Sequence, residues 1–565
     1  MTRRPNDLSC QSNPTPFALP EIMKSPAENL AMSRILSRIA LLGKRHAQAT
    51  TLMVLLFALA AFLAYITRVN GVTHDLFHAM ALARDTIAQG SFPQNDTFAF
   101  TPTISPTVHH EWGFGLITYL TTAHSDGGFF LMSLKFLLVA LLFLCCYRVC
   151  RQRGGQPIFF AFSILIALPF FWVGFATIRA QLFTLVAISI QMVMLEADWR
   201  GRRAWILGWL VLLLAWLNIH AGFVIGAAMM AFHGIERCVE SWNRTRNFRA
   251  VLSDTWHLFA AAPVAVLLLL VNPYGSEYIV YLAYGLTMPR PLIAEWGPLW
   301  TTYEPMQTMF FFAISVALLL YAGRHRHWTR LRGFLFLLFC AVMAVKHIRH
   351  GSIYGLIWLA YVPAWISHTP LGDRLQVFLS RKKILLAQAS VVMTVFCLGY
   401  ALWHPFWKAY LPVTVAGERG NYPLGAIAYL ERSHFQGRLI TDFDTGAYVT
   451  WRLYPNVLVS LDGRYEAAFQ PGVMEDHLAL FGCEGEWGKW LDRWGADGLI
   501  IPSGSKLGKE LHREASNEVA QSFPGSNRKW KCFYSDPGTM VWLSDRYQLP
   551  KETDQPLPSD GRYPQ

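Results

Sequence analysis

Residues 111–124 read EWGFGLITYLTTAH, and the course of the whole chain turns on whether this run crosses a membrane. Its apolar stretch is about thirteen residues long, short of the roughly 20 needed to span hydrocarbon. It then meets SDGG at 125–128, a cluster of turn formers. The run therefore predicts an interfacial helix and not a span. Eleven longer apolar runs, near 50–67, 127–147, 156–175, 181–197, 205–219, 222–235, 256–271, 307–322, 333–347, 351–366 and 384–403, each approach spanning length.

Charge supports that reading. If 111–123 stays on the surface and the N-terminus lies in the cytoplasm, the basic clusters beginning at Arg148, Arg200, Arg237, Arg324 and Arg374 all fall on the cytoplasmic side. If 111–123 crossed, every one would lie outside, against the positive-inside tendency. The expectation is a polytopic α-helical membrane protein of about 11 spans with its C-terminus outside.

A chain of 565 residues with 53% hydrophobic and 14% aromatic content is too apolar to be wholly soluble. Its net charge of +12 is spread in short clusters between apolar runs, without a basic domain or recognition motif, so no nucleic acid is expected as a partner. Cys145, Cys146, Cys150, Cys238, Cys340 and Cys397 lie in or beside apolar segments and read as small core residues. Residues 1–49 are polar and basic and read as a cytoplasmic N-terminal segment without a cleavable signal. Residues 50–404 form the transmembrane domain, with a first outer loop at 69–125.

After residue 404 the chain changes character. RLITDF, VLVSLDG, DGLIIPS, WKCFYSD and TMVWLSD read as short strands between helical stretches such as 423–434 and 484–494. Residues 405–545 thus predict an extramembrane α/β domain, followed by a Pro-rich, disordered tail at 546–565. Cys483 and Cys532 share this domain, and both a disulfide and two free thiols are open.

With this topology the unusual polar residues of the membrane half gather on the outer side. Directly after the first run, VTHDLFHAM (72–80) places His74, Asp75 and His78 where a loop would ordinarily carry Ser, Gly or Asn. Asp96 and Glu111 follow in the first loop. Arg179 and Gln181, then Asn218 and His220, occupy short junctions between spans. Arg290 and Glu295 lie in a later loop, and Lys346, His347, Arg349 and His350 fall between the ninth and tenth runs. Ionisable groups at membrane depth are costly and mark pathways or sites. Single basic residues near span ends also snorkel to headgroups, so the convergence carries the reading and no one residue does.

One carboxylate among cations suits transfer of a sugar from a lipid phosphate. The departing phosphate needs positive charge rather than an acid. The acceptor hydroxyl must lose a proton as it attacks the opposite face of the anomeric carbon, which calls for one base. Asp75 is the expected base, with Glu295 as a second acid. Arg179, Lys346, His347, Arg349 and His350 form the cation pool, and His220 shapes the pocket. Gln181 and Asn218 either orient the donor or bond helix to helix. Trp112 and Trp296 either stack on substrate or anchor at the interface. Asp462, in LDGRY, reads as a turn residue more readily than as a site. His74, Asp75 and His78 together offer a donor set for a divalent metal, although hydrogen-bonded or interfacial histidines fit this spacing more readily; no other cofactor is expected.

Several blocks carry a resemblance: DLFHAMALARDTIAQGSFPQNDTFAFTPTISPTVHHEW (75–112), IRAQLFT (178–184), WLNIHAGF (216–223), AEWGPLW (294–300), HIRHGSI (347–353) and GRLITDFDTGAYVTWRLYPNVLVSLDGRYE (437–466). They resemble bacterial membrane proteins with the C-type glycosyltransferase fold, similar to protein O-mannosyltransferases and lipid A aminoarabinose transferases. The resemblance runs from about residue 50 to 545. It implies an inner-membrane glycosyltransferase with a polyprenyl-phosphate-linked sugar donor, membrane lipid around it and a periplasmic acceptor of unknown identity. It further implies that Asp75 stands at the catalytic centre and that the first loop carries two interfacial helices, matched by 76–89 and 111–123. The chain departs from many relatives in having His74-Asp75 where they carry two adjacent acids. Two other classes fit the same composition: a transporter or flippase of lipid-linked sugars, and a non-catalytic membrane scaffold. Paired inverted halves, frequent in transporters, are not evident in the sequence.

Overall fold

The computed structural model describes residues 47–67, 72–122, 128–288, 290, 293–302, 304–403, 422–512 and 520–549. The expectations for 1–46, for 404–421 and for the tail from 550 concern residues outside that set. Up to residue 403 the chain is helical: α1 (Ala47–Ile66), α2 (Asp75–Gln89), α3 (Trp112–Thr122), α4 (Gly128–Gln152), α5 (Pro157–Ala167), α6 (Trp172–Phe175), α7 (Ala180–Trp199), α8 (Trp205–Ile219), α9 (Phe223–Thr245), α10 (Phe248–Leu268), α11 (Glu277–Thr287), α12 (Pro305–Arg326), α13 (Phe334–Lys346), α14 (Gly351–Ile366), α15 (Pro370–Arg381) and α16 (Lys383–Trp403).

Among the described residues, seven segments are long and apolar enough to cross a membrane: α1, α4, the broken helix Pro157–Phe175, α7, α10, α12 and α16. The remaining apolar runs also fall on helices, α8, α9, α13 and α14, of which α8 and α13 are shorter than a span and α14 has 16 residues. Leu137, Leu207, Val266, Phe310 and Phe396 on the outward faces are each more than half exposed. Such a surface is matched by lipid tails and not by water, the pattern of a multi-pass membrane protein. The sixteen residues of α14 are all buried, as a helix apolar on every side requires, and it packs against α4, α5, α12 and α13.

Local chemistry decides where helices begin. Pro157, Pro305 and Pro370 open α5, α12 and α15, where a missing N–H costs nothing. α10 starts at Phe248, ahead of the apolar run expected from 256, because the Asn247 side chain caps it by accepting from the Arg249 N–H at 2.9 Å.

α7 has 20 residues, so its ends stand about 30 Å apart. Its Trp199 end is knotted by charge. Asp198 is fully buried and receives Arg203 at 2.6 Å, His257 at 2.8 Å, His233 at 2.9 Å and Arg237 at 3.2 Å, which ties α7 to α9 and α10. Arg153 pairs with Glu196, and Arg332 with Glu240 at 3.1 Å. Arg179 and the C-terminal domain lie at the opposite end.

That domain comprises α17 (Leu424–Arg432), β1 (Gly437–Ile440), α18 (Gly446–Leu453), β2 (Val457–Val459), α19 (Pro471–Phe481), α20 (Lys489–Arg493), β3 (Gly498–Pro502), α21 (Lys506–His512), β4 (Gln521–Ser522), β5 (Lys529–Ser535) and β6 (Thr539–Ser544). One six-stranded sheet has the order β2-β1-β3-β6-β5-β4, with β1 parallel to β2 and β3, and β6 antiparallel to β3 and β5. Cys483 and Cys532 are not joined in a disulfide, and the Cys532 thiol donates to the Tyr534 carbonyl at 3.3 Å.

The first loop belongs physically to this sheet. The Val459 N–H donates to the Phe98 carbonyl at 3.0 Å, the Phe100 N–H to Val459 at 3.1 Å and the Ile104 N–H to Ala468 at 2.8 Å. The domain also covers α2: the Phe77 ring lies 4.9 Å from that of Tyr448, and Arg84 donates to the Trp451 carbonyl at 2.8 Å. No local pattern in 96–104 announces that pairing, because an isolated edge segment has neither the length nor the alternation of a strand.

Candidate active site

Three abrupt helix junctions build one side of the site. Arg179 before α7 is extended (φ −142°, ψ 159°), as are His220 between α8 and α9 (φ −161°, ψ 137°) and His347 between α13 and α14 (φ −143°, ψ 123°). An extended residue cannot continue a helical ladder, so each marks an end of the bundle and leaves its side chain there. Asp75 comes from the opposite side as the first residue of α2, where a carboxylate also suits the positive end of the helix.

These residues meet. Nη2 of Arg179 lies 3.5 Å from Oδ2 of Asp75, and its other terminal nitrogen pairs with Glu295, which sits on the short turn Ala294–Trp296. Arg349 stacks over Trp296 with its guanidinium carbon 4.8 Å from the ring centre, and Arg290 does the same at 4.5 Å. Among the described residues Arg349 has no ion-pair partner, although Glu295 and Glu111 attract it. His347 Nδ1 donates to the Trp296 carbonyl at 2.6 Å, and the His350 ring lies 6.1 Å from Trp296.

Glu111 anchors the other half. Its Oε1 is 3.5 Å from Nε2 of both His110 and His220. Burial pushes the Glu111 carboxyl up, but the His110 hydrogen bond and the neighbouring histidines outweigh it and hold it down at about 2. The Gly222 N–H donates to His220 Nδ1 at 3.1 Å, so the His220 proton sits on Nε2, toward Glu111. His78, one turn beyond Asp75, has its value lowered by burial against the attraction of Asp462 and Asp75; its Nδ1 is buried without a partner. His74 packs its ring 4.8 Å from Tyr422.

Two expectations, those for Asp96 and Lys346, are corrected, and the alternatives left open for Gln181, Asn218 and the His74, Asp75 and His78 set are narrowed. Asp96 does not face the cavity: its side chain is fully buried, pairs with Arg464 of the C-terminal domain and accepts the Ala99 N–H at 2.7 Å. A buried carboxylate must be paired, and Arg464 supplies the pair. Gln181 donates to the Arg349 carbonyl at 2.9 Å and to Ser352 at 3.3 Å, and Asn218 donates to Leu214 and Val271 while accepting from Trp112 at 3.1 Å. Both amides therefore stitch helices together. Lys346 is exposed on the last turn of α13, apart from Arg349. His74, Asp75 and His78 do not form a ligand set, and no three His, Cys, Asp or Glu among the described residues are arranged to hold a metal.

Three features were not anticipated. Arg464 and Asp462 form a buried pair at 2.8 Å beside Asp96. Lys135, only 2% exposed inside α4, donates to the Ala176 carbonyl just before Arg179; a lysine in the apolar run GFFLMSLKFLLVALLF was a readable signal. Asp198, an acid at the end of an apolar helix, was another.

No known family model matches the chain, and no curated protein matches it either.

Proposed function

We propose that the chain is a glycosyltransferase that takes a sugar from a polyprenyl-phosphate donor and passes it, with inversion, to an acceptor outside the inner membrane of a bacterium. The reading includes eleven spans, a cytoplasmic N-terminus and a periplasmic C-terminal domain, and rests on the resemblance described above together with the charge pattern of the loops. The observation that carries it is the meeting of Asp75, Arg179, Glu295, Arg349, Glu111 and His220 at one end of the bundle, although they come from six separate places in the sequence.

Asp75 removes the proton of the acceptor hydroxyl. That oxygen bonds to the anomeric carbon as the bond from that carbon to the phosphate oxygen breaks, and the electron pair leaves with the lipid phosphate. Arg349 is the cation for the leaving group, because no carboxylate among the described residues already holds it; Trp296 fixes its plane. Arg179 orients Asp75 and Glu295 and meets the developing charge as the phosphate departs. His350 and His347 border the same end.

Purified protein incubated with a panel of polyprenyl-phosphate sugars should bind at least one and release its sugar to water or to an added acceptor. If no member binds or turns over, the transferase reading falls.

A further inference from the structure

The loops that follow β1 and β2 leave the carboxyl ends of two parallel strands, the edge where α/β domains place their sites, and here that edge faces Asp75. At Gly463, in the loop after β2, a methyl group in place of the α-hydrogen would stand 2.9 Å from Oδ1 of Asp75. The backbone of the C-terminal domain therefore lies beside the carboxylate, so close that a side chain at 463 would press on Asp75 and displace its carboxylate from this position. Its two neighbours hold it there. Arg464 pairs with Asp462 at 2.8 Å and with Asp96 of the first loop, and the side chains are 3%, 0% and 0% exposed. The Arg464 N–H also donates to Asp462 at 3.0 Å. Around the same spot Tyr422 donates to the Val72 carbonyl at 2.8 Å and packs on His74. Three desolvated charges are an expensive way to fix a turn unless its position matters.

We propose that the turn Asp462–Gly463–Arg464 is a wall of the Asp75 pocket: Gly463 is a positioning residue for that carboxylate, and Arg464, gripped by Asp96 and Asp462, is the clamp that seats it. This rests on the reading of Asp75 as the base, and it makes the C-terminal domain part of the reaction chamber as well as a surface for the acceptor.

The test uses the full chain in lipid nanodiscs. Gly463→Ala is compared with Gly472→Ala, a control in the same domain where an added methyl meets nothing within 4 Å. Gly463→Ala should lower kcat at least tenfold while KM for the donor changes less than twofold and the thermal midpoint matches the control. The double variant Asp75→Cys/Gly463→Cys should form a disulfide between the two positions on mild oxidation, mapped by mass spectrometry. Activity of Gly463→Ala equal to that of Gly472→Ala, or absence of the cross-link, overturns the proposal. If wild type turns over no donor, the transferase reading falls by itself, and the cross-link alone then decides whether the turn seats against residue 75.

Discussion

Arg179 faces Asp75 at 3.5 Å and holds Glu295 with its other terminal nitrogen. One cation thus bridges two acids, so neither the acids nor Arg179 stand free in this structure. Arg349 differs: it is stacked on an indole and has no ion-pair partner among the described residues. The division assigns different consequences to changes at these positions.

Asp75→Asn keeps the shape of the side chain and removes its ability to take a proton. Turnover of the donor should fall by about 10²–10⁴-fold, the usual worth of a general base, with donor binding retained. A transporter or scaffold would tolerate the change, so undiminished transfer or unchanged lipid movement would remove Asp75 from the chemistry.

Arg349→Lys retains charge but loses the planar contact with Trp296. We expect the KM for a polyprenyl-phosphate sugar to rise roughly tenfold, and further in Arg349→Ala, since a lysine cannot stack or fork as a guanidinium does. Equal donor binding in wild type, Lys and Ala variants would show that phosphate is held elsewhere.

Glu111 makes stability depend on acid. Its folded-state value, about 2, lies below the ordinary 4.5, so its contribution is complete above pH 4.5 and is lost as pH falls toward 2. The difference in thermal midpoint between wild type and Glu111→Gln should be constant from pH 7 to 5 and shrink progressively below 4.5. A difference that grows on acidification contradicts the assignment.

Arg464→Ala leaves Asp96 and Asp462 buried without their cation. Removing one member of such a set costs about 3–5 kcal/mol, and the loss should show as earlier release of the C-terminal domain in limited proteolysis. A cleavage pattern like that of wild type would mean that the aromatic contacts of α2 suffice.

Asp198→Ala strips the partner from two histidines and two arginines at the other end of the bundle. The same order of destabilisation is expected, seen as a lower unfolding temperature in detergent, while donor binding by the protein that remains folded is unchanged. Loss of donor binding at low temperature would instead couple the two ends.

The helical bundle was legible in the chain before folding. Span length, the shortness of residues 111–123 and the cation clusters are all local properties, because a lipid solvent imposes its thickness on each segment separately. The candidates at the junctions were legible too: polar residues in turns of two to six residues stand out against apolar runs. Which of them would be occupied was not. Asp96 and Glu111 look alike in sequence, yet one is locked by Arg464 and the other meets His110 and His220. Gln181 and Asn218 fitted a ligand and a stitch between helices equally well in sequence, and their hydrogen bonds are those of stitches. Gly463 was an ordinary turn glycine until the sheet brought it against Asp75. Pairing of charges depends on distances of a few ångströms between segments far apart in the chain, and only packing sets those distances.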